Sequence, residues 1–314
     1  MIPLVSVVIP TYNRPDIIGE ALSSVGLQRN VPGPIEVIVV NDAGLDVTAA
    51  VDDARECLGL TVRLIDLTAN RGLPAARNIG IDAAAGEFLA LLDDDDVFLP
   101  QHLTTMLDAI DREGADAAYG ICALSTRRVD PLAPQPTSTY PSHPFDPALL
   151  SVANFIPIHA PVLRRPPDRA RFDTALPALE DWDMWLRLTQ AFGYRFHHVP
   201  LETVVYHQLR DDDNMCAPSV RESAALARFS RLAQRLWARW DAPTEAARRF
   251  RLHIVTMYWN GLVLLAEGRR LRVDYFQRCL GHIAAAWHGD IPEDSITDRI
   301  VESMEETRGH ADLA

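Results

Sequence analysis

Four consecutive aspartates, Asp93–Asp96, directly follow an apolar run at residues 88–92. Such a leucine-rich run suits a strand covered on both faces of an α/β sheet, and these strands present ligand-binding groups at their carboxyl ends. Crowded carboxylates repel one another unless a cation lies among them, and Mg²⁺ or Mn²⁺ takes such oxygen ligands, usually together with phosphate. The cluster therefore predicts a metal-bridged phosphate substrate. An acidic loop that caps the next helix, near Pro100, is the alternative.

A second acidic group, Glu180, Asp181 and Asp183, lies at the start of a segment with helical spacing that also contains Trp182. A carboxylate in such a place can act as a general base toward a hydroxyl group. The alternative is structural, because acidic residues at a helix N-terminus complement the helix macrodipole.

The first half of the chain alternates strand and helix patterns, which predicts an α/β fold with a mostly parallel sheet and helices on both faces. The predicted strands are 4–9, 35–40, 61–67, 88–92 and 117–123, and the predicted helices are 16–27, 47–58, 73–85 and 100–113. A proline-rich stretch at 131–147 is interpreted as a surface loop. We expect a domain over 1–215, with a nucleotide-binding part at about 1–125 and an acceptor part at about 126–215, and a helical region over 216–314.

Polar residues follow each of the first four predicted strands. They are Pro10–Arg14, Asn41–Asp42, Asn70–Gly72 and the aspartate cluster. Because parallel strands end at the same edge of a sheet, these residues are expected to line one site. The sequence has neither G-x-G-x-x-G nor G-x-x-x-x-G-K-[ST], so neither a dinucleotide fingerprint nor a P-loop is indicated. The hypothesis that remains is a nucleotide held at the strand ends, with its diphosphate bridged to a metal.

Composition limits the classes of protein that need considering. The net charge of −13 over 314 residues argues against nucleic acid as a partner. The four cysteines form no C-x-x-C pair, so neither a zinc site nor a disulfide framework is indicated. The N-terminus lacks the features of a signal peptide, and no apolar run is long enough to span a bilayer. We therefore expect a cytoplasmic protein, with attachment to the membrane surface left open.

Six motifs occur in order along the chain: Val8–Arg14, Val39–Asp42, Asn70–Gly72, Ala76–Asn78, Leu92–Asp96 and Glu180–Asp183. Together they resemble the motifs of the family 2 glycosyltransferases, which have the GT-A fold, and the resemblance covers about residues 4–210. The resemblance implies a metal-dependent, inverting enzyme that moves a sugar from a nucleoside-diphosphate sugar, most simply a UDP-sugar, to an acceptor hydroxyl. The Gln-x-x-Arg-Trp motif of processive members is absent, which favours a non-processive enzyme. The resemblance implies a hexosyl- or N-acetylhexosaminyltransferase.

The resemblance also implies roles for the residues at the strand ends. Thr11 would hydrogen-bond the base and Tyr12 would stack on it, while Asp42 would accept from the imide N–H of uracil or thymine. Arg77 would lie near the base or near the first aspartate, with a surface cation as the alternative. The implied nucleotide-sugar-binding residues are Pro10, Thr11, Tyr12, Asn13, Arg14, Asp42, Asn70, Arg71, Gly72, Arg77, Asp93 and Asp94.

For the metal, Mn²⁺ or Mg²⁺, the family's Asp-x-Asp pattern aligns with Asp93 and Asp95. Asp95 would bind the ion, and Asp93 would contact the ribose or orient its neighbours. The register is ambiguous by one residue because the four aspartates are identical, and Asp96 is interpreted as a supporting group. His207 resembles a histidine that completes the metal or diphosphate site, with a surface histidine as the alternative.

The implied catalytic base is Asp181, with Asp183 as a less favoured alternative. Glu180, Trp182, Asn154 and His159 are candidates for acceptor contacts or for supporting the base. The acceptor, a saccharide, a lipid-linked sugar or a small molecule, is not identified by any motif. It could belong to cell-surface glycan, glycolipid or secondary-metabolite biosynthesis. Two other functions stay open, a nucleotidyltransferase and a non-catalytic sugar-nucleotide-binding module, and a homodimer is also left open.

Overall fold

The computed structural model describes residues 2–135, 138–208 and 217–304. The chain divides into two compact units: the first comprises Met1–Phe145 and Ile156–Leu209, and the second comprises Asp146–Phe155 and Arg210–Ala314. The boundary predicted between residues 215 and 216 lies outside the described residues. The short segment at 146–155 belongs to the second unit although both of its chain neighbours belong to the first.

The first unit is built on one mixed sheet. Its strands are β1 (Val5–Thr11), β2 (Ile35–Asn41), β3 (Thr61–Asp66), β4 (Phe88–Leu91), β5 (Val97–Phe98), β6 (Ala117–Ser125), β7 (Ser138–Thr139), β8 (Pro161–Arg164) and β9 (Phe196–His207). The spatial order is β3-β2-β1-β4-β8-β6-β9-β5, with β7 beside β6. Pairing is parallel through β3-β2-β1-β4 and between β6 and β9. It is antiparallel on both sides of β8, between β5 and β9, and between β6 and β7.

The helices follow in chain order. They are α1 (Ile18–Gly26), α2 (Thr48–Cys57), α3 (Leu73–Ala83), α4 (His102–Glu113), α5 (Pro147–Leu150), α6 (Glu180–Phe192), α7 (Ser223–Arg239), α8 (Glu245–Ala266), α9 (Tyr275–Trp287) and α10 (Ile296–Met304), with 3₁₀ turns at Ala217–Val220 and Glu293–Ser295. Helices α1–α4 and α6 belong to the first unit, and α5 and α7–α10 belong to the second.

The parallel part of the sheet forms the core beneath the site. All seven residues of β1 are buried, as expected for a central strand rich in β-branched residues and covered on both faces. Helix α3 packs closely on this strand, because a Cβ atom at Gly80 would collide with Cγ1 of Val8. This close approach holds Arg77, one turn earlier on α3, beside the carboxyl edge of the sheet.

The second unit is a helical assembly. Asp146 caps α5 by accepting from the backbone N–H groups of Ala148 and Leu149, and its other oxygen accepts a 2.7 Å hydrogen bond from Nε1 of Trp287. Thr244 caps α8 by accepting from the N–H of Ala247 at 3.0 Å. Among the helices that the structure describes, none combines the length and the apolar character that crossing a bilayer requires.

Candidate active site

The ends of β1 and β4 meet in one hydrogen-bonded cluster. Oγ1 of Thr11 donates to Oδ2 of Asp94 at 2.7 Å. Nη1 of Arg14 donates to Oδ1 of Asp94 at 2.9 Å and to Oδ2 of Asp95 at 2.8 Å. The end of the first strand is therefore bound directly to the aspartates, as the shared sheet edge predicted.

The four aspartates alternate between two environments. The side chains of Asp93 and Asp95 are 27% and 25% exposed, whereas those of Asp94 and Asp96 are 7% and 1% exposed. Burial, only partly offset by Thr11 and Arg14, raises the pKa of Asp94 to about 6. Two carboxylates separated by one residue therefore face solvent at the sheet edge, and the other two hold the loop from inside.

Arg77 joins the aspartates to helix α6. The side chain is buried, with Nη2 donating to Oδ1 of Asp93 at 2.6 Å and Nη1 donating to Oε1 of Glu180 at 2.5 Å. Its guanidinium carbon lies 5.6 Å from the ring centroid of Phe172. Although burial acts against the charge, Asp93 and Glu180 raise the pKa of Arg77, so the guanidinium stays protonated. The alternative of a surface cation is wrong, because the side chain lies between two acidic groups in the interior.

The segment that precedes α6 is bound to α3 as well. Nδ2 of Asn78 donates to the carbonyl of Phe172 at 2.9 Å, and the N–H of Phe172 donates to Oδ1 of Asn78 at 2.8 Å. This pair fixes the segment that leads into α6. Leu179, the residue before the helix, has φ of +61°, a left-handed conformation that is strained for a leucine. The bend it makes sets where Glu180 and Asp181 begin the helix.

Asp181 is partly exposed at the first turn of α6. Its Oδ1 accepts from the N–H of Trp182 at 2.7 Å. Burial and the negative charge of Glu180 raise the pKa of Asp181 to about 7. A carboxylate of this pKa can take a proton near neutral pH, which is what a general base must do.

The other residues of this acidic helix start are buried. Trp182 is 3% exposed and Asp183 is fully buried, with one carboxylate oxygen 2.8 Å from Nη2 of Arg187 on the next turn. Asp183 is therefore paired with a cation of its own helix and has no exposed surface. Asn154 lies in the second unit, where it is also buried.

The predicted base-binding residues surround the ends of β1 and β2. Tyr12 is 47% exposed, as a stacking surface would be. Asp42 is buried, and its two oxygens accept from the N–H groups of Arg71 at 2.7 Å and Gly72 at 2.8 Å. Asp42 thus holds the loop after β3 against β2. The base of a nucleotide would have to donate to the remaining lone pairs of the Asp42 carboxylate.

The remaining strand-end residues support these loops. Oδ1 of Asn13 accepts from the N–H of Leu45 at 3.1 Å, and Oδ1 of Asn70 accepts from the N–H of Gly72 at 3.2 Å. Pro10 is buried within β1, and Arg71 is exposed. Asn13 has φ of +58°, a left-handed conformation that asparagine tolerates better than most non-glycine residues.

His207, the last residue of β9, is bound to the aspartate loop through its backbone and its ring. Its N–H donates to Oδ1 of Asp96 at 2.8 Å, Nδ1 lies 2.6 Å from the carbonyl oxygen of Asp95, and Nε2 lies 3.3 Å from the N–H of Val129. Burial lowers the pKa of His207, which favours the neutral ring with Nδ1 protonated. In this arrangement neither nitrogen has a lone pair to give to a metal, so the geometry does not support His207 as a ligand.

His159 lies behind the same loop. It is 2% exposed, with Nδ1 2.9 Å from Oδ2 of Asp96 and Nε2 3.1 Å from Sγ of Cys122. Although burial acts in the opposite direction, the Asp96 carboxylate raises the pKa of His159. Because it is enclosed and paired, His159 has no surface to offer to an acceptor. Ligand atoms of Asp93, Asp96 and His159 lie within 4.8 Å of one another, but two of these residues are buried.

The exposed aspartates fit a hard divalent ion. Asp93 and Asp95 are separated by one residue, and each carboxylate binds an arginine through one oxygen, Arg77 for the first and Arg14 for the second. Oxygen ligands of this kind suit Mg²⁺ and Mn²⁺, and the neighbouring arginines suit a phosphate. Residues of this kind could hold the Mn²⁺ or Mg²⁺ that the resemblance implies.

Comparison with known proteins identifies the family. Residues 6–166 match the model of a family described as glycosyl transferase family 2. This chain belongs to that family. It is 32% identical over 274 residues to the succinoglycan biosynthesis protein ExoO of Rhizobium meliloti (strain 1021), an alignment that covers 79% of this chain and 76% of ExoO. The predicted family and the prediction of an enzyme, a glycosyltransferase, are both confirmed.

Solved structures confirm the GT-A fold class of this family 2 chain. Residues 1–349 of S. aureus TarS, in complex with UDP-GlcNAc, superpose with a TM-score of 0.57 at 18% identity, covering 96% of this chain and 91% of TarS. The mannosyltransferase PcManGT of Pyrobaculum calidifontis, in complex with GDP-Man and Mn²⁺, gives 0.58 at 18% identity, covering 95% and 79%.

Several contacts of this glycosyltransferase site between distant residues were not predicted, and two of them are examples. Asn78 lies in a motif that the sequence singled out, but its partner Phe172 is 94 residues away. The contact between His159 and Cys122 spans 37 residues and has no motif of its own. No local sequence pattern predicts either contact, because both depend on how elements distant in the chain pack together.

Proposed function

We propose that this family 2 glycosyltransferase transfers a sugar from a UDP-sugar to an acceptor hydroxyl with inversion, and that the reaction depends on a divalent metal ion. The observation that carries the proposal is the buried bridge from Asp93 through Arg77 to Glu180. It holds the exposed aspartates, suited to a diphosphate, beside the helix start that presents Asp181. A donor site and a general base therefore share one rigid support.

In this proposal Asp181 takes the proton of the acceptor hydroxyl as its oxygen attacks the anomeric carbon of the donor. The new C–O bond forms on the face opposite the nucleotide, and the bond to the diphosphate breaks with its electron pair, so the configuration inverts. A divalent ion held by Asp93 and Asp95 would neutralise charge that develops on the diphosphate. Arg14, which already contacts Asp95, is placed to contribute positive charge there.

The choice of uridine rests on the first two strand ends. Tyr12 offers an exposed ring for stacking, and Asp42 offers an acceptor to an imide N–H. The two solved structures of similar fold hold different nucleotide sugars, UDP-GlcNAc in TarS and GDP-Man in PcManGT. The name of ExoO, a succinoglycan biosynthesis protein, favours a cell-surface glycan as the pathway.

Nucleotide binding tests the donor site without an acceptor. UDP and dTDP with Mn²⁺ are expected to raise the melting temperature more than CDP does, because uracil and thymine present an imide N–H to Asp42 whereas cytosine presents an acceptor there. GDP, whose guanine also carries a ring N–H, is the fourth nucleotide compared. At about 100 times Kd the stabilisation is about 2.7 kcal/mol. Thermal melts with and without Mn²⁺ measure it. The metal-dependent part should be lost in Asp95→Asn and kept in Asp168→Asn, whose side chain is 99% exposed. A lack of response to all four nucleotides would refute the donor site.

The pH dependence of the rate tests the base. Because Asp181 acts as a carboxylate and its pKa is raised to about 7, kcat/KM is expected to fall about tenfold per pH unit below that pKa and to level off above it. Initial rates at subsaturating acceptor across a pH series measure this profile, with Asp168→Asn as the control. A profile that stays flat through neutral pH would show that Asp181 does not limit the reaction.

A further inference from the structure

The outward face of α7 carries a row of arginines. Arg228, Arg231 and Arg235 are exposed and follow one another at spacings of three and four residues, so they lie on one side of the helix. Helix α7 contains no acidic residue from Ser223 to Arg239. None of the three arginines forms an ion pair within the part of the chain that the structure describes. In a chain of net charge −13, this row is a local concentration of positive charge.

The next helix, α8, carries an exposed apolar stripe. Leu252, Val255, Trp259 and Val263 are 62%, 40%, 65% and 40% exposed. Their spacings of three, four and four residues place them along one face of the helix. A contiguous exposed apolar stripe that includes a tryptophan indicates an interaction surface.

The two exposed rows belong to consecutive helices of one hairpin. Helices α7 and α8 are joined by residues 240–244 and pack together, with the guanidinium carbon of Arg251 5.6 Å from the ring centroid of Trp237. Their inward faces meet one apolar cluster, since a Cβ atom at Gly261 would contact Leu226 of α7 as well as Met304. In each helix the exposed residues lie opposite the buried ones, so both outward faces point away from that cluster.

We propose that this hairpin face, made by Arg228, Arg231 and Arg235 with Leu252, Val255, Trp259 and Val263, docks on an anionic lipid bilayer. Arginine binds the phosphates of lipid head groups, and leucine and tryptophan enter the boundary between head groups and acyl chains. The hairpin lies on the membrane surface and does not cross it.

The composition of the face favours lipid over other partners. The seven residues of the face include no acidic group, so a second copy of the same face would give the arginines no counter-charge about any twofold axis. Nucleic acid would match the arginines but leave the apolar stripe without a partner. A bilayer of mixed charge satisfies both halves of the face at once.

Vesicle binding by the full chain tests the proposal. The protein is sedimented with vesicles of phosphatidylcholine alone and of phosphatidylcholine mixed with phosphatidylglycerol, at low and high salt. We expect binding to the mixed vesicles only, weakened by salt. The variant with Arg228→Gln, Arg231→Gln and Arg235→Gln should bind on the order of 100-fold more weakly, about fivefold for each arginine. The matched control carries Arg63→Gln, Arg165→Gln and Arg169→Gln, which removes the same charge from exposed sites in the first unit.

A second readout follows the apolar stripe. The tryptophan emission of the wild-type protein should shift to shorter wavelength on mixed vesicles, and the shift should be smaller in Trp259→Phe. Thermal melts check that each variant is folded. Three results would overturn the proposal: no binding of the wild type to mixed vesicles, equal losses in the two triple variants, or binding to single-stranded RNA that exceeds binding to vesicles.

Discussion

Replacing Asp181 by asparagine is expected to lower kcat by about 10²–10⁴-fold, the usual contribution of a general base. The amide keeps the size of the side chain but cannot accept the proton of the acceptor hydroxyl. Nucleotide binding should be retained, because no nucleotide contact is assigned to this residue. Steady-state rates with saturating donor, together with thermal melts with UDP and Mn²⁺, separate the two effects.

Asp183→Asn is the matched control for Asp181→Asn, since it makes the same change two residues later in α6. Asp183 is buried and paired with Arg187, so its replacement should cost stability, about 1–3 kcal/mol, and change kcat little. If Asp181→Asn kept the wild-type kcat, or if Asp183→Asn lost activity while staying folded, the base would have been assigned to the wrong residue.

Replacing Arg77 by methionine is expected to lower the free energy of unfolding by about 3–5 kcal/mol. The change leaves Glu180, whose side chain is 7% exposed, without its cation, and it also removes the partner of Asp93. Asp93 is partly exposed, so water compensates part of its loss and the effect comes mainly from Glu180. Urea unfolding of the two proteins measures the difference.

Arg63→Met is the control, because Arg63 is exposed on β3 and its replacement should change stability by no more than about 0.5 kcal/mol. Arg77→Lys should also be destabilised, since one ammonium group cannot reach both carboxylates with the geometry of a guanidinium. Wild-type stability in Arg77→Met would mean that the bridge from Asp93 to Glu180 does not hold the site together.

The local elements of the first half could be predicted from the sequence. The second strand was predicted at 35–40 and lies at Ile35–Asn41, and the second helix was predicted at 47–58 and lies at Thr48–Cys57. Buried parallel strands leave unbroken apolar runs, and surface helices leave a 3.6-residue period, so both patterns can be read locally. The meeting of the strand ends followed from the topology rule for parallel sheets.

The second half of the sheet could not be read in this way. The two-residue β5 is too short to leave a pattern, and the 12 residues of β9 mix buried and exposed positions because their pairing with β6 shifts register. The sheet is mostly parallel, as predicted. The antiparallel pairs on both sides of β8 were not predicted. Such pairings join segments far apart in the chain, and no local signal records them.

The site likewise has features that local sequence predicts and features that depend on long-range packing. From the sequence one could predict that carboxylates gather at the sheet edge and that a second acidic group begins a helix. The folded structure was needed to show which aspartates face solvent, because four identical neighbours carry no register of their own and the alternation comes from their burial against Arg77, Thr11 and His159. It also decided that Arg77 joins Asp93 to Glu180, which is 103 residues away, since packing of α3 on the sheet places that charge between them.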